Sequence, residues 1–182
     1  MKIYLVRHGE TNYNLNKLCN DDPRVDVHLT ENGINQVNKT ANKLKSVNVD
    51  CIFASELNRT QQTADIINHY HQANIIIDKR LNDVQTGYEG KSYELYHEAL
   101  RKYKDQWSVR LNGGESFEDV SRRVHAFITD LKHFKYDSYV VVTSSLIIRM
   151  FYGIVENFDN KEHWNFLIEQ VKPASCLKVD LN

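Results

Sequence analysis

The sequence predicts an α/β fold, in which a mostly parallel central sheet is flanked by helices in a single three-layer domain over residues 1–182. Short apolar runs rich in β-branched residues alternate with longer segments whose apolar residues recur every three or four positions. This alternation indicates a parallel sheet covered by helices. Two prolines and seven glycines are too few for a long linker. A length of 182 residues suits one domain with a sizeable core.

Five apolar runs are short and carry the β-branched and aromatic residues that strands favour. The clearest central strand is the fourth, in which three valines follow Tyr139. The sequence leaves open whether an edge strand runs antiparallel. The predicted strands cover residues 3–6, 51–54, 75–77, 139–142 and 176–179.

Five longer segments are predicted to be helices because their apolar residues fall on one face. Thr30 precedes the first of them as an N-cap. The apolar positions of that segment are Ile34, Val37, Ala41 and Leu44. The fourth helix begins with a Ser-Phe-Glu-Asp sequence at residue 116 that resembles a capping box. The predicted helices cover residues 30–44, 58–70, 92–103, 116–131 and 146–155.

Composition and charge exclude several classes of protein. A net charge of −1 gives no basic field that could hold nucleic acid. No apolar stretch reaches the roughly 18 residues that span a bilayer, and polar residues of functional character by position 7 argue against a signal peptide. Cys19, Cys51 and Cys176 are widely spaced and odd in number, which fits reduced thiols in a cytoplasmic protein. No CxxC or HExxH spacing indicates a metal.

Two chemically versatile residues follow the first predicted strand directly. Arg7 and His8 come after the apolar run at residues 3–6, and Gly9 lets the backbone leave the strand tightly. Open α/β sheets bind ligands at the carboxyl ends of their strands. Arginine is a planar, permanently charged donor that suits phosphate, and histidine can be a neutral nucleophile near pH 7. A strand that simply ends in two polar residues is the structural alternative.

Four further segments give this junction its context. Together with the first segment, they are RHGETNYN at residues 7–14, LTENGINQ at 29–36, SELNRTQQTA at 55–64, GGES at 113–116, and the strand at 140–142 that leads to Arg149. In this order they closely resemble the histidine phosphatase superfamily, whose fold is phosphoglycerate mutase-like. The resemblance extends from residue 2 to about residue 150.

The resemblance implies that His8 attacks phosphorus and becomes a phosphohistidine. It assigns Arg7, Asn14 and Arg59 to the phosphate pocket. The chemistry agrees, because a phosphoryl group in transfer carries its charge on three equatorial oxygens and needs mainly positioning and charge stabilisation. Two arginines delivered from separate strand ends can bind those oxygens from two sides. Arg59 also lies at a predicted helix start, where backbone N–H groups favour anions.

The family usually has a carboxylic acid after its third strand, in a segment that continues to a glycine. Residues 80–90 form this segment here, and Asp83 occupies the acid position, which is more often glutamate. An aspartate is one methylene shorter, but it can protonate a leaving oxygen if the backbone lies closer or a water intervenes. Two alternatives are that Asp83 only caps a turn, and that Glu89 is the acid.

The main departure from the family's pattern follows the strand at 139–142, where a second histidine is usual. Counting back from Arg149 puts Ser144 at that position. Serine can donate a hydrogen bond but brings no cation, and losing one charge-stabilising donor costs on the order of 10²–10³ in turnover. Three explanations remain open: a slow or differently tuned phosphatase, a phosphate-binding pseudoenzyme, and an engineered substitution.

The leading hypothesis is a phosphomonoesterase that hydrolyses a small phosphorylated metabolite through His8. The alternatives are a phosphoglycerate mutase-type phosphoryl transferase and a catalytically weak phosphate-binding pseudoenzyme. Mutases of this family carry insertions that close the pocket, and this chain has little room for them. We expect a small phosphorylated substrate or free phosphate as partner, and no nucleic acid, membrane, metal or cofactor. The oligomeric state is open.

The segment at residues 18–24 is predicted to line the entrance to the site, because it lies between the nucleophile and the first helix. Its aspartates at 21 and 22 would repel additional phosphates, whereas Lys17 and Arg24 would oppose that repulsion. An aromatic wall of the site is a further possibility, and the candidate residues for it are Tyr88, Tyr93 and Trp107.

Overall fold

The computed structural model describes residues 1–157 and 171–181, and its centre is a five-stranded sheet. The strands are β1 (Lys2–Arg7), β2 (Cys51–Ala54), β3 (Asn74–Ile77), β4 (Ser138–Thr143) and β5 (Cys176–Asp180). They lie in the order β3-β2-β4-β1-β5. The first four are mutually parallel, and β5 pairs antiparallel with β1 at the edge.

Helices cover both faces of this sheet. They are α1 (Asn12–Asn16), α2 (Glu31–Leu44), α3 (Asn58–Asn68), α4 (Tyr93–Leu100), α5 (Phe117–Leu131) and α6 (Ser145–Val155). Because successive side chains of a strand point to opposite faces, Val140 and Val142 of β4 pack with α2 and α3, whereas Tyr139 and Val141 pack with α5 and α6. All six residues of β4 are buried, as expected for a parallel strand covered on both sides. Across the described ranges, no helix combines the length and apolar character needed to cross a membrane.

The predicted three-layer α/β architecture is confirmed, and each predicted strand and helix is present. The N-cap at Thr30 is confirmed, because its Oγ1 accepts from Gly33 N at 2.9 Å. The capping box of α5 is complete between Ser116 and Asp119. Two helices end earlier than predicted, α3 at residue 68 and α4 at residue 100. The single-turn helix α1 was not predicted, because five residues with no buried side chain show no apolar period.

The loop after β1 packs directly on the start of α2. A Cβ on Gly33 would lie 2.1 Å from the carbonyl oxygen of Glu10, and one on Gly9 would lie 2.6 Å from the carbonyl oxygen of Gly33. Glu10 N donates to Gln36 Oε1 at 3.0 Å, and Thr30 N donates to Glu10 O at 2.9 Å. The backbone that follows the last residue of β1 is therefore held in place by the first turns of α2.

Gly33→Ala is expected to lower the free energy of unfolding by about 1–3 kcal/mol, because the added methyl group would overlap backbone atoms. Gly153→Ala is the matched control. Gly153 also lies in a helix, but a Cβ there would meet no atom within 4 Å in the described part of the chain. Alanine at 153 is expected to raise the same free energy by about 0.5–1 kcal/mol. Urea unfolding followed by circular dichroism measures both, and equal stability of the two variants would contradict the close approach.

Candidate active site

A cleft of about 630 Å³ opens where β1 and β4 end. Arg7 is the last residue of β1 and Ser144 directly follows β4, so the parallel strands deliver these side chains to one edge. The loop after β3 and helix α4 form other parts of the lining. The structure brings all six predicted site residues into this cleft, namely Arg7, His8, Asn14, Arg59, Asp83 and Ser144.

His8 is buried, with 3% of its surface exposed, and its Nδ1 lies 2.8 Å from the carbonyl oxygen of Gly9. A carbonyl oxygen can only accept, so Nδ1 carries the proton and the lone pair of the neutral ring lies on Nε2. Burial, and then the charges of Arg59 and Arg7, lower the pKa of His8 well below its ordinary value. The ring is therefore neutral near pH 7, with Nε2 as its nucleophilic atom.

Two arginines reach the cleft from different strand ends. Nη1 of Arg7 donates to the carbonyl oxygen of Val171 at 2.8 Å, while its Nε is buried without a hydrogen-bond partner in the described residues. Arg59 is the second residue of α3 and is 4% exposed. A buried unpaired donor costs about 1–3 kcal/mol. Such a donor beside a second guanidinium fits a cleft that binds an anionic acceptor.

The loop at residues 19–22 is tied to Arg59. Asn20 accepts from Arg59 through both its side-chain Oδ1 and its backbone oxygen. The carboxylate of Glu89 accepts from Asn20 Nδ2 at 3.1 Å, and from the backbone N–H groups of Asp21 and Asp22 at 2.6 and 2.9 Å. Glu89 does not line the cleft. The structure therefore does not support Glu89 as the alternative acid, and its carboxylate holds the loop that contacts Arg59.

The predicted entrance segment is correct in part. The lining includes Lys17, Leu18, Cys19 and Asn20. The aspartates do not line the cleft, because Asp21 Oδ2 accepts from the N–H and hydroxyl of Thr86 at 2.8 and 2.9 Å, and Asp22 pairs with Arg24 at 2.6 Å. Their predicted repulsion of additional phosphates at the mouth is not supported. Of the three aromatic residues considered for a wall, only Tyr93 lines the cleft.

Asp83 places a carboxylate beside the arginines. Its Oδ1 accepts from Val84 N at 2.9 Å, and its Oδ2 lies 3.4 Å from Nη2 of Arg59. The side chain is 26% exposed. The turn-capping alternative accounts for Oδ1 alone. The second oxygen lies beside Arg59, and a carboxyl group at this place could give a proton to a leaving oxygen.

Arg123 of α5 and Glu115 of the GGES segment hold the loop that carries Asp83. Arg123 donates to the carbonyl oxygen of Asp83 at 3.2 Å and to Glu115 Oε1 at 2.8 Å. Glu115 Oε2 accepts from Gln85 N at 3.0 Å. A Cβ on Gly114 would lie 2.1 Å from the carbonyl oxygen of Gln85. The glycine permits this close approach, and the ion pair then holds the loop from its backbone.

Two smaller side chains add neutral donors to the cleft. Asn14 Oδ1 accepts from Thr11 N at 3.1 Å in the capping box of α1, which leaves Nδ2 as a donor. Ser144 is the N-cap of α6 and is 3% exposed. Its hydroxyl makes no capping bond and has no hydrogen-bond partner in the described residues. Ser144 Oγ is therefore available to a ligand.

Sequence reasoning missed several lining residues. Arg149 lines the cleft. The sequence motif gave this arginine no role beyond fixing the position of Ser144. His97 of α4 also lines the cleft, and its ring centroid lies 4.3 Å from that of Tyr93, the residue already considered for the aromatic wall. Helical spacing was an available signal for Arg149, because a residue four positions after Ser145 lies on the same helix face.

The described residues contain no group of three or more His, Cys, Asp or Glu side chains that could hold a metal ion. Comparison with protein families gives a match over residues 3–182 to the histidine phosphatase superfamily, branch 1. The chain belongs to this superfamily. The family that the sequence motifs predicted is thereby confirmed.

Two of the relatives that match this chain carry different names. The Adenosylcobalamin/alpha-ribazole phosphatase of Escherichia coli (strain K12) is 28% identical over 177 residues, which cover 93% of this chain and 86% of that protein. The Probable phosphoglycerate mutase GpmB of Cronobacter sakazakii is 34% identical over 135 residues, covering 69% of this chain and 60% of that protein. The chain thus spans less than two thirds of the length of the latter relative.

Solved structures share the fold of this chain. The Alpha-ribazole Phosphatase from Shigella flexneri superposes with a TM-score of 0.80 at 26% identity, covering 100% of this chain and 87% of that one. Bacillus stearothermophilus YhfR superposes with a TM-score of 0.81 at 22% identity, covering 100% and 91%. At that identity the second likeness shows a shared fold.

The imidazole of His8 is expected to remain neutral as the pH falls from neutrality through 6.5, the ordinary value for histidine, because its pKa is lowered. Ring-nitrogen NMR shifts measure this, and the spectrum of His8→Ala identifies the resonances. We expect a protonated Nδ1 and an unprotonated Nε2 at neutral pH. A His8 resonance that titrates near 6.5, or a proton on Nε2, would contradict the assignment.

Proposed function

We propose that this histidine phosphatase hydrolyses a small phosphorylated metabolite as a phosphomonoesterase, through a phosphohistidine on His8. The observation that carries the proposal is the buried ring of His8, whose Nδ1–H is bound to Gly9 and whose Nε2 is therefore nucleophilic. Arg7 and Arg59 line the same cleft. A neutral nucleophile between two guanidinium groups suits attack on an anionic phosphoryl group.

In the first step, Nε2 of His8 forms a bond to phosphorus while the bond from phosphorus to the ester oxygen breaks. The leaving oxygen keeps the electron pair of the broken bond and takes a proton from Asp83. Arg7 and Arg59 bind the equatorial oxygens, where negative charge accumulates in the transition state. The product alcohol then leaves the cleft.

In the second step, water attacks the phosphorus of the phosphohistidine and gives a proton to the carboxylate of Asp83. The N–P bond breaks, its electron pair returns to Nε2, and orthophosphate leaves. Because Gly9 keeps Nδ1 protonated, the phosphorylated ring of His8 is cationic. It therefore departs as a neutral imidazole, which is a good leaving group.

The alcohol part of the substrate is proposed to carry a flat or apolar group. Besides the arginines, the lining of the cleft includes aromatic and apolar side chains, among them Tyr93, Tyr96, Leu100 and Phe117. The phosphatase reading is further supported by the Escherichia coli relative named Adenosylcobalamin/alpha-ribazole phosphatase, which is matched over 86% of its length. The partner of the site is then a small phosphomonoester, with free phosphate as product.

A phosphoglycerate mutase-type transferase is the second candidate, favoured by the identity to the protein named Probable phosphoglycerate mutase GpmB. In that reaction the phosphohistidine would transfer its phosphoryl group to another hydroxyl of a sugar acid instead of to water. Phosphate exchange between added phosphoglycerates, without release of orthophosphate, would favour the mutase. Orthophosphate release from simple esters would favour the phosphomonoesterase.

His8→Ala is expected to abolish hydrolysis of p-nitrophenyl phosphate and the labelling of the protein by its phosphoryl group. The parent chain is expected to form an adduct that is labile in acid and stable in alkali. Asp83→Asn is the matched control, because nitrophenolate leaves with little help from an acid. This variant should still form the adduct from the aryl ester while losing hydrolysis of alkyl phosphates. Undiminished turnover by His8→Ala would refute the mechanism.

Ser144→His is expected to raise turnover roughly 10²-fold, the order of one transition-state donor with charge. Little change in stability is expected, because Ser144 Oγ has no hydrogen-bond partner in the described residues. Ser144→Asn is the control, since it exchanges one neutral donor for a larger neutral donor without adding charge and should gain less. Steady-state kinetics of a panel of small phosphomonoesters decides the matter. A folded Ser144→His that turns over no faster would show that serine is the adapted residue here.

A further inference from the structure

The residue that directly follows β4 in the cleft, Ser144, is neutral. Ser144 can donate one hydrogen bond there but carries no charge. A phosphoryl group in transfer spreads negative charge over three oxygens, and Arg7 and Arg59 approach it from β1 and α3. A cation from α6 would complete the arrangement. The following inference rests on the proposed function, because it concerns the same phosphoryl group.

Arg149 is the arginine of α6 that lies on the cleft. It is four residues after Ser145, so both side chains lie on one face of the helix, and both line the cleft. Nε of Arg149 donates to the carbonyl oxygen of Ser145 at 3.4 Å. This contact bends the side chain back toward the first turn of α6, which is the end of the helix that Ser144 caps.

The electrostatic surroundings of Arg149 are those of the catalytic residues. Burial lowers the pKa of its guanidinium, Tyr93 and Asp83 raise it, and Arg7 lowers it further. An arginine side chain stays protonated in proteins even when its pKa is lowered. Its charge is therefore felt by the carboxylate proposed as the acid and by one of the two arginines proposed to bind phosphate.

We propose that Arg149 supplies part of the positive charge that a histidine at position 144 would otherwise bring to the phosphoryl group. Ser144 would provide the hydrogen bond and Arg149 part of the charge, so that the N-cap of α6 and a residue of α6 together replace one imidazolium in part. The N-terminal N–H groups of α6, which have no partner within the helix, point to the same end and add to the attraction.

This division of work has a consequence for pH. An imidazolium loses its charge as the pH rises through its pKa, whereas a guanidinium keeps its charge. The groups that face Arg149 from the described elements are Arg7 on β1, Asp83 on the loop after β3, and Tyr93 and His97 on α4. A chain that uses Arg149 should keep its oxyanion affinity at alkaline pH better than a chain that uses a histidine at 144.

A double-mutant cycle tests the proposal with four full-length proteins: the parent, Arg149→Gln, Ser144→His and the double variant. The measurements are the dissociation constant of vanadate, the dissociation constant of inorganic phosphate, and kcat/KM for p-nitrophenyl phosphate. In the parent, Arg149→Gln is expected to raise both dissociation constants and to lower kcat/KM by roughly 10²-fold each. When histidine is present at 144, the same substitution is expected to change each of them by only about tenfold. Arg122→Gln, which removes an exposed arginine of α5 paired with Glu118, is the control and should change nothing.

Equal losses from Arg149→Gln in both backgrounds, or no loss in the parent, would overturn the proposal. Arg149→Lys separates the charge from the shape of the side chain. If the charge acts, this variant should keep most of the affinity for phosphate and vanadate. If the charge does not act, its affinity should be as low as that of Arg149→Gln. Phosphate affinity of Ser144→His/Arg149→Gln, divided by that of the parent at each pH, should fall as the pH rises. The ratio cancels the titration of phosphate itself, and a flat ratio would also overturn the proposal.

Failure of the proposed function gives a different result. If neither the parent nor Ser144→His releases phosphate from any ester, the phosphomonoesterase activity is refuted. The dissociation constants of phosphate and vanadate in the same four proteins then still decide whether Arg149 contributes its charge to the oxyanion. Thermal unfolding of each variant confirms that it is folded before its affinity is compared.

Discussion

The hydrogen bond from His8 Nδ1 to the carbonyl oxygen of Gly9 is the constraint on which the rest of the cleft depends. It leaves the lone pair on Nε2, and it uses a neutral acceptor where a carboxylate would have favoured the imidazolium form. Burial beside Arg7 and Arg59 then keeps the ring uncharged. The guanidinium groups that suit an incoming anion are thus the same groups that help to keep the imidazole of His8 neutral.

Several motif residues act on the backbone of the loops that carry reactive groups. Gln62 Oε1 accepts from Leu29 N at 2.8 Å, beside the start of α2. Thr63 Oγ1 accepts from Gly9 N at 3.3 Å and donates to the carbonyl oxygen of Arg59 at 2.8 Å. One turn of α3 therefore connects the loop that carries His8, the segment before α2 and Arg59. The apolar core fixes the strands and helices. These short polar contacts additionally fix the backbone of the loops between them.

The strands and long helices could be predicted because each buries an apolar face whose period is visible in the sequence. The meeting of Arg7, Asp83 and Ser144 could also be predicted, since parallel strands end at one edge of the sheet. The part played by Glu89 could not, because it depends on the path of a loop some seventy residues away in the sequence bringing three donors to one carboxylate. The direction of Arg149 depends on a side-chain bend that no sequence pattern encodes.

His8 directly follows β1, and the sheet neighbours of β1 are β4 at residues 138–143 and β5 at residues 176–180, far along the chain. Chains emerge from the ribosome N-terminus first. The unit β2-α3-β3 can pair early, because its two strands are adjacent and parallel. The apolar strand that ends in Arg7 must wait for residues 138–143, with its edges unpaired and open to association. A nascent chain that has not yet reached residue 144 therefore has neither the pairing of β1 with β4 nor the complete cleft that Arg7, His8 and Ser144 line together.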